Sequence, residues 1–103
     1  MRMKNNIPLG PAVVTPGEIL EEEFLLPLGI SQNALAKRMG IGRMRISEIV
    51  RGRRAITAET AILLSRVLGT SERFWTNLQT THDLAVAADR LKKRLDSSFR
   101  PLT

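Results

Sequence analysis

Apolar residues in this 103-residue chain recur mainly at intervals of three and four, and no long stretch alternates between apolar and polar positions. Intervals of three and four bring side chains onto one face of an α-helix, whereas alternation is typical of a strand. The pattern therefore predicts an all-α protein without a sheet. Prolines, glycines and small hydroxyl residues divide it into five helical segments.

The first predicted helix begins after Thr15, which is followed by proline and, three residues after the cap, by Glu18. We expect Pro27 to end this helix near Phe24 or Leu25. The second helix is predicted to begin at Ser31 and end at Gly40, the third to begin at Gly42 and end at Gly52, and the fourth to begin at Thr57 and end at Gly69. The fifth begins at Ser71 and runs to Leu95. The residues expected to face inward on the fourth helix are Ala61, Ile62, Leu64, Val67 and Leu68.

Chain length and composition predict one domain, because about a hundred residues support a single core. We expect residues 1–14 to be a flexible arm, residues 15–95 to form the domain, and residues 96–103 to be a frayed tail. The start of the chain lacks the apolar stretch of a signal peptide, and no run is long enough to cross a membrane. These features favour a cytoplasmic protein.

Residues 32–51 carry the pattern of a helix-turn-helix. Its apolar or small positions are Leu35, Ala36, Met39, Gly40, Ile41, Ile46 and Ile49. Ala36 falls where the two helices would cross, so a larger side chain would push them apart, and Gly40 permits the positive φ of a tight turn. Two packed helices also occur as a purely structural hairpin, which is the alternative reading.

Charge distinguishes the two readings. The chain has 16 Lys and Arg against 10 Asp and Glu, which gives a formal charge of +6. Residues 37–54 alone contain seven basic residues and one acidic residue, Glu48. A basic stretch around a helix-turn-helix favours a nucleic-acid partner. The acids Glu18, Glu21, Glu22 and Glu23 lie together in the first predicted helix, which suggests a face turned away from that partner.

Helical geometry turns Met44, Ser47, Glu48 and Arg51 outward on the third helix, opposite Ile46 and Ile49. The candidates for contact with base edges in the major groove are Arg43, Met44, Arg45 and Ser47. The candidates for contact with DNA phosphates are Gln32, Lys37, Arg51, Arg53 and Arg54. Glu48 would either accept a hydrogen bond from a cytosine amino group or repel a wrong register, and both readings stay open.

The fifth helix has more apolar surface than a small monomer needs, and two-fold pairing would double the DNA contacts. Its candidate dimer-interface residues are Leu78, Leu84, Ala85, Ala88 and Leu91. Phe74 and Trp75 are more typical of core anchors than of a base-stacking platform. With no cysteine, one histidine and no nucleophile–base pair, the sequence offers no metal site, no cofactor site and no catalytic constellation, so we do not expect an enzyme.

Several separated motifs occur in order along the chain: Thr15-Pro16-Gly17-Glu18-Ile19-Leu20, Glu23-Phe24-Leu25 with Pro27-Leu28-Gly29, Gly52-Arg53-Arg54 with Ile56-Thr57, and Gly69-Thr70-Ser71 followed by Phe74-Trp75 and Asn77-Leu78-Gln79. Together they resemble the HigA-like antitoxins of type II toxin–antitoxin modules, which belong to the Xre, or phage-repressor, class. The resemblance covers residues 15–89. The basic extension beyond Asp89 lies outside it.

This resemblance implies a five-helix domain that dimerises on an inverted-repeat operator, represses its own operon and neutralises a small mRNA-cleaving toxin encoded nearby. Recognition-helix positions vary within the family, so Arg43, Met44 and Arg45 carry over no known operator code. The alternative is a stand-alone helix-turn-helix regulator without a toxin partner. The two functions differ only in the protein partner.

Overall fold

The computed structural model describes residues 14–103, of which all the regular elements are helical. The first helix, α1, consists of an α-helical start Pro16–Ile19, a π-helical middle Leu20–Leu25 and a last turn Leu26–Leu28. The others are α2 (Gln32–Met39), α3 (Arg43–Val50), α4 (Ala58–Leu68) and α5 (Glu72–Ser98). The predicted five-helix, all-α fold is confirmed. The arm predicted over residues 1–14 lies outside the described residues except for Val14, and α5 continues into the predicted tail as far as Ser98.

Local polar contacts fix the helix starts as the sequence predicts. At four helix starts, the hydroxyl oxygen of the capping residue accepts a hydrogen bond from the backbone N–H three residues later. The acceptors and donors are Thr15 and Glu18 (3.1 Å), Ser31 and Ala34 (3.0 Å), Thr57 and Thr60 (3.3 Å), and Ser71 and Phe74 (3.0 Å). Glu18 returns the bond, because its Oε1 accepts from the Thr15 N–H at 2.9 Å. Gly40 ends α2 with φ +72°, and the Ile41 N–H closes the turn on the Ala36 carbonyl at 3.1 Å.

The expectation that Pro27 ends the first helix near Leu25 is wrong, since α1 continues through Pro27 to Leu28 and the left-handed Gly29. Proline disturbs an α-helix because it has no N–H and its ring meets the carbonyl four residues back. Here the preceding segment is π-helical, and the Leu26 N–H bonds to the Glu21 carbonyl five residues back. The wider turn leaves room for the ring, so the helix ends at Leu28, three residues after Leu25.

The core is aliphatic around one tryptophan. Its buried members are Leu20, Leu25, Leu35, Ala36, Met39, Ile46, Ile49, Ile56, Ala61, Leu64 and Trp75. Trp75 has no exposed surface, and its indole N–H donates to Thr70 Oγ1 at 2.7 Å. Phe24 lies 5.2 Å from the Trp75 ring centroid, while Phe74 is 37% exposed at the edge of the cluster. The core-anchor prediction is therefore right for Trp75 and only partly right for Phe74.

Ile62 does not face inward as expected, because 42% of its surface is exposed. The buried side of α4 consists of Thr60, Ala61, Leu64 and Ser65. A residue that follows Ala61 is rotated by about 100° away from that side. The hydroxyl residues Thr60 and Ser65 are buried on α4 and occupy part of the inner side that Ile62 was expected to fill.

Helix α1 crosses α3 at very short range through Gly17. A Cβ atom built on Gly17 would lie 1.8 Å from the Ile49 carbonyl oxygen and 2.9 Å from the Val50 Cα. Both obstacles are backbone atoms, which have no rotamer to change. Only glycine allows α1 to pack against the end of α3 at this distance.

We therefore expect Gly17→Ala to lower the free energy of unfolding by about 3 kcal/mol or more, because one helix must move away from the other. Gly42→Ala is the matched control: a Cβ there meets nothing within 4 Å, so it should cost less than about 1 kcal/mol. Urea denaturation followed by circular dichroism measures both. Equal losses in the two variants would show that the crossing does not depend on Gly17.

Candidate nucleic-acid interface

Helix α3 has one fully buried side and one free side. Ile46 and Ile49 on the inner side are 0% and 1% exposed, whereas Met44 on the outer side is 66% exposed. The turn between α2 and α3 is closed by backbone bonds, so the two helices are held as a unit. This is the geometry of a helix-turn-helix, in which the second helix presents its outer side to a DNA groove.

The start of α2 and the outer side of α3 enclose an open groove of about 550 Å³. It is lined by Gln32, Asn33, Arg43, Met44, Ser47 and Arg51. Five of these six are candidates predicted from the sequence. Asn33 was missed, because an exposed polar residue in the first turn of a helix carries no signal of its own in the sequence.

Arg45, the fourth base-edge candidate, does not line this groove. Its guanidinium turns toward α4, where it lies 3.5 Å from Thr60 Oγ1 and 3.7 Å from Glu59 Oε1. Glu59 is largely exposed, so the ion pair contributes little to stability. Arg45 must exchange these partners to reach a base, and its assignment to a base edge stays a prediction.

Arg54 is already paired with an acid of α3. Its Nε donates to Glu48 Oε1 at 2.8 Å, and a terminal guanidinium nitrogen lies 2.7 Å from the same oxygen. The sequence suggested a phosphate contact for Arg54 and two roles for Glu48, but not that these side chains bind each other. Lys37 and Arg53 are exposed, as phosphate contacts would require. The phosphate assignments stay predictions.

The basic loop after α3 is anchored to α5 by Gln79. The Ile56 N–H donates to Gln79 Oε1 at 2.8 Å, and Gln79 Nε2 donates to Asp83 Oδ1 at 3.0 Å. A further hydrogen bond, between backbone groups, joins the loop to α3: the Arg53 N–H donates to the Glu48 carbonyl at 2.8 Å. In the sequence, Gln79 stands out only as part of a family motif, because a contact across 23 residues leaves no local trace.

The five candidate dimer-interface residues fall on two sides of α5. Leu78 and Ala85 line an apolar groove of about 470 Å³ together with Pro16, Ile19 and Phe74. Leu84 is 65% exposed, Ala88 is exposed and Leu91 is half-buried. Because these three residues are spaced by four and then three positions, they lie on one face of the helix. Part of the predicted set thus packs near α1, and the rest forms a separate exposed stripe.

Comparison with known proteins agrees with this geometry. The family described as Helix-turn-helix matches residues 22–75, which include α2, α3 and α4. Virulence-associated protein I of Dichelobacter nodosus is 48% identical over 84 residues, which are 82% of this chain and 74% of that protein. Antitoxin HigA-1 of Vibrio cholerae is 44% identical over 71 residues, which are 69% of this chain and 67% of that protein.

Among solved structures, the antitoxin HigA of Pseudomonas aeruginosa with the higBA promoter is similar at 40% identity and a TM-score of 0.83. The match covers 87% of this chain and 98% of that chain. Fold and groove therefore define a helix-turn-helix protein of the Xre class. More particularly, the chain belongs to the family of HigA-like antitoxins, as the resemblance of its motifs indicated.

Across residues 14–103, no helix has both the length and the apolar character needed to cross a membrane.

The Gln79 bridge leads to a stability prediction. Gln79→Ala leaves the Ile56 N–H without its partner, and we expect the free energy of unfolding to fall by about 1–3 kcal/mol. Thr80→Ala, at the exposed neighbouring position, should change it by less than about 0.5 kcal/mol. Chemical denaturation measures both, and hydrogen exchange at the Ile56 amide should accelerate only in the Gln79 variant. Unchanged protection of that amide would contradict the bridging role.

Proposed function

We propose that this chain is a sequence-specific DNA-binding antitoxin that represses its own operon and neutralises a small mRNA-cleaving toxin. The observation that carries the DNA-binding part is the open groove where Gln32, Arg43, Met44, Ser47 and Arg51 converge. Within it a cation, a thioether and a hydroxyl are presented by a rigid helix, which suits major-groove reading. The HigA relative solved with a promoter supports the same role.

The described residues support a division of labour along this surface. Arg43, Met44 and Ser47 lie on the first two turns of α3, where a recognition helix meets base edges. Arg45 is a further base-edge candidate once it leaves Glu59. The phosphate contacts would come from Gln32, Lys37, Arg51, Arg53 and Arg54, which surround α3 and add affinity without reading sequence.

Two copies of the chain would bind an inverted repeat. One helix-turn-helix reads only a few base pairs, and a two-fold pair reads two half-sites about one DNA turn apart. The exposed stripe of Leu84, Ala88 and Leu91 offers an apolar surface for that pairing. Leu78 and Ala85 would complete the interface from the adjoining groove.

The toxin-binding part rests on the family, whose members named here include two antitoxins. A protein that binds both its operator and a toxin makes repression of the operon depend on how much toxin is present. We infer that it acts in the cytoplasm, where the operator and the messenger RNA targeted by the toxin are found. No metal, cofactor or catalytic group is needed for either binding event.

The DNA-binding proposal predicts tight binding to an inverted repeat upstream of the chain's own gene, with a log–log salt slope near −5 if about six phosphates are neutralised. Arg43→Ala should weaken operator binding by about 1–3 kcal/mol and relax its sequence preference. Arg53→Ala should weaken operator and random DNA alike, because a phosphate contact reads no sequence. Gel shifts over a salt series measure all three. Parallel losses of both variants on both DNAs would refute the division of roles.

The toxin proposal predicts that co-expression with the adjacent reading frame yields a co-purifying complex and relieves growth inhibition by that neighbour. Arg43→Ala is the control, because Arg43 lies in the groove proposed to bind DNA. This variant should bind the operator less tightly but still bind the toxin and rescue growth. Absence of both complex and rescue, with DNA binding intact, would leave a stand-alone regulator.

A further inference from the structure

Glu48 is the one acid of α3, and helical periodicity places it on the outer side of the helix beside Met44 and Ser47, although its own side chain does not line the groove. It follows Met44 by four residues and precedes Arg51 by three, so the three side chains share one helical face. About a third of its side chain is exposed. A carboxylate at this position would face DNA phosphates of the same charge, which is costly unless it has a compensating function.

The hydrogen bonds of Glu48 are divided unevenly between its two oxygens. Both contacts from Arg54 go to Oε1, at 2.8 Å from Nε and 2.7 Å from a terminal nitrogen. Within residues 14–103, Oε2 takes part in no hydrogen bond. The pair is thus close to neutral as a unit, yet it retains one free and strongly accepting oxygen.

Arg54 holds this carboxylate from a loop that is itself fixed. The Arg53 N–H bonds to the Glu48 carbonyl, and the Ile56 N–H bonds to Gln79 on α5. These two hydrogen bonds, made by residues on either side of Arg54 in the chain, restrict where its guanidinium can lie. The carboxylate is therefore oriented before any DNA arrives, which lowers the entropy lost when it makes a further contact.

We propose that Glu48 is a specificity-determining residue whose free Oε2 accepts a hydrogen bond from the amino group of a cytosine in the major groove, while Arg54 orients and neutralises the carboxylate. This inference rests on the proposed DNA-binding function and names one base that the site reads. In the major groove, cytosine offers its N4 amino group as a donor, whereas guanine and thymine present acceptors that a carboxylate repels. Adenine places the N7 acceptor beside its amino group, which disfavours it relative to cytosine.

The test uses a pool of randomised DNA duplexes, from which the full chain and its variants each select their preferred sequence. The full chain should select an inverted repeat with one C·G pair per half-site that depends on Glu48. Glu48→Ala should reduce the preference at that pair by roughly 5- to 150-fold while leaving the rest of the motif unchanged. Glu48→Gln, which has the same shape, should change the preferred pair from C·G to A·T, because an amide both donates and accepts.

Glu72→Gln is the matched control, since it removes the same charge from the exposed first turn of α5, outside the groove. It should select the motif of the unaltered chain. A motif that is identical at every position in Glu48→Ala would overturn the inference and leave DNA binding standing. Failure of the unaltered chain to select any motif would overturn the sequence-specific function as well.

A double-mutant cycle on random-sequence duplexes tests the role of Arg54. Removing Arg54 in the presence of Glu48 exposes an unpaired negative charge to phosphates, so Arg54→Ala should weaken binding more in the original chain than in the Glu48→Ala background. Equal losses in both backgrounds would show that Arg54 does not neutralise Glu48 at the DNA surface, and would overturn that part of the inference.

Discussion

The burial of Ile46 and Ile49 is the interaction on which the rest of this structure depends. These two side chains fix α3 against the core, and the burial of each contributes about 1.5–3 kcal/mol. Because a helix has only one side toward the core, the opposite side of α3 is left free for contact with a partner. Two small residues support this orientation: Ala36 lets α2 approach α3, and Gly17 lets α1 pack over the end of α3.

Polar contacts outside the core set the shape of the surface around α3. Gln79 joins the loop after α3 to α5, and Arg54 in that loop binds Glu48 on α3. Two charged groups beside the groove, Glu48 and Arg54, are thereby oriented by bonds to each other and to the body of the domain. Groups held in this way lose little entropy when they bind, which favours specificity over simple electrostatic attachment.

The groove at α3 and the exposed leucines of α5 lie on different helices. The basic residues of segment 37–54 lie on α2, α3 and the following loop, whereas Leu84 and Leu95 lie along α5, which also carries the basic residues Arg90, Lys92, Lys93 and Arg94. Under the proposed function, DNA would bind at the groove of α3 and a second protein chain at the stripe of Leu84, Ala88 and Leu91, so both can be bound at the same time.

Local chemistry was determined by the sequence alone. Thr15, Ser31 and Ser71 cap helices because a hydroxyl satisfies N–H groups within the same turn, and Gly40 ends α2 because the turn needs a positive φ. The buried residues of the helix-turn-helix follow from helical periodicity, which is also a local property. For the same reason the motif, its outer face and most of the groove residues were predictable.

Contacts between distant residues were decided only by the tertiary structure. Nothing near Gly17 in the sequence indicates that the Ile49 carbonyl lies where a Cβ would stand, and nothing near Gln79 indicates its bond to Ile56. Arg43 and Arg45 lie on opposite flanks of the outer side of α3 and were equally good candidates by sequence, but α4 supplies partners to Arg45. Pro27 and Ile62 depart from expectation for reasons within their own helices: the π-helical segment before Pro27 leaves room for its ring, and Thr60 and Ser65 take part of the buried side of α4. Periodicity defines the outer side of α3, but the packing of the other helices around it decides which side chains there remain free to bind.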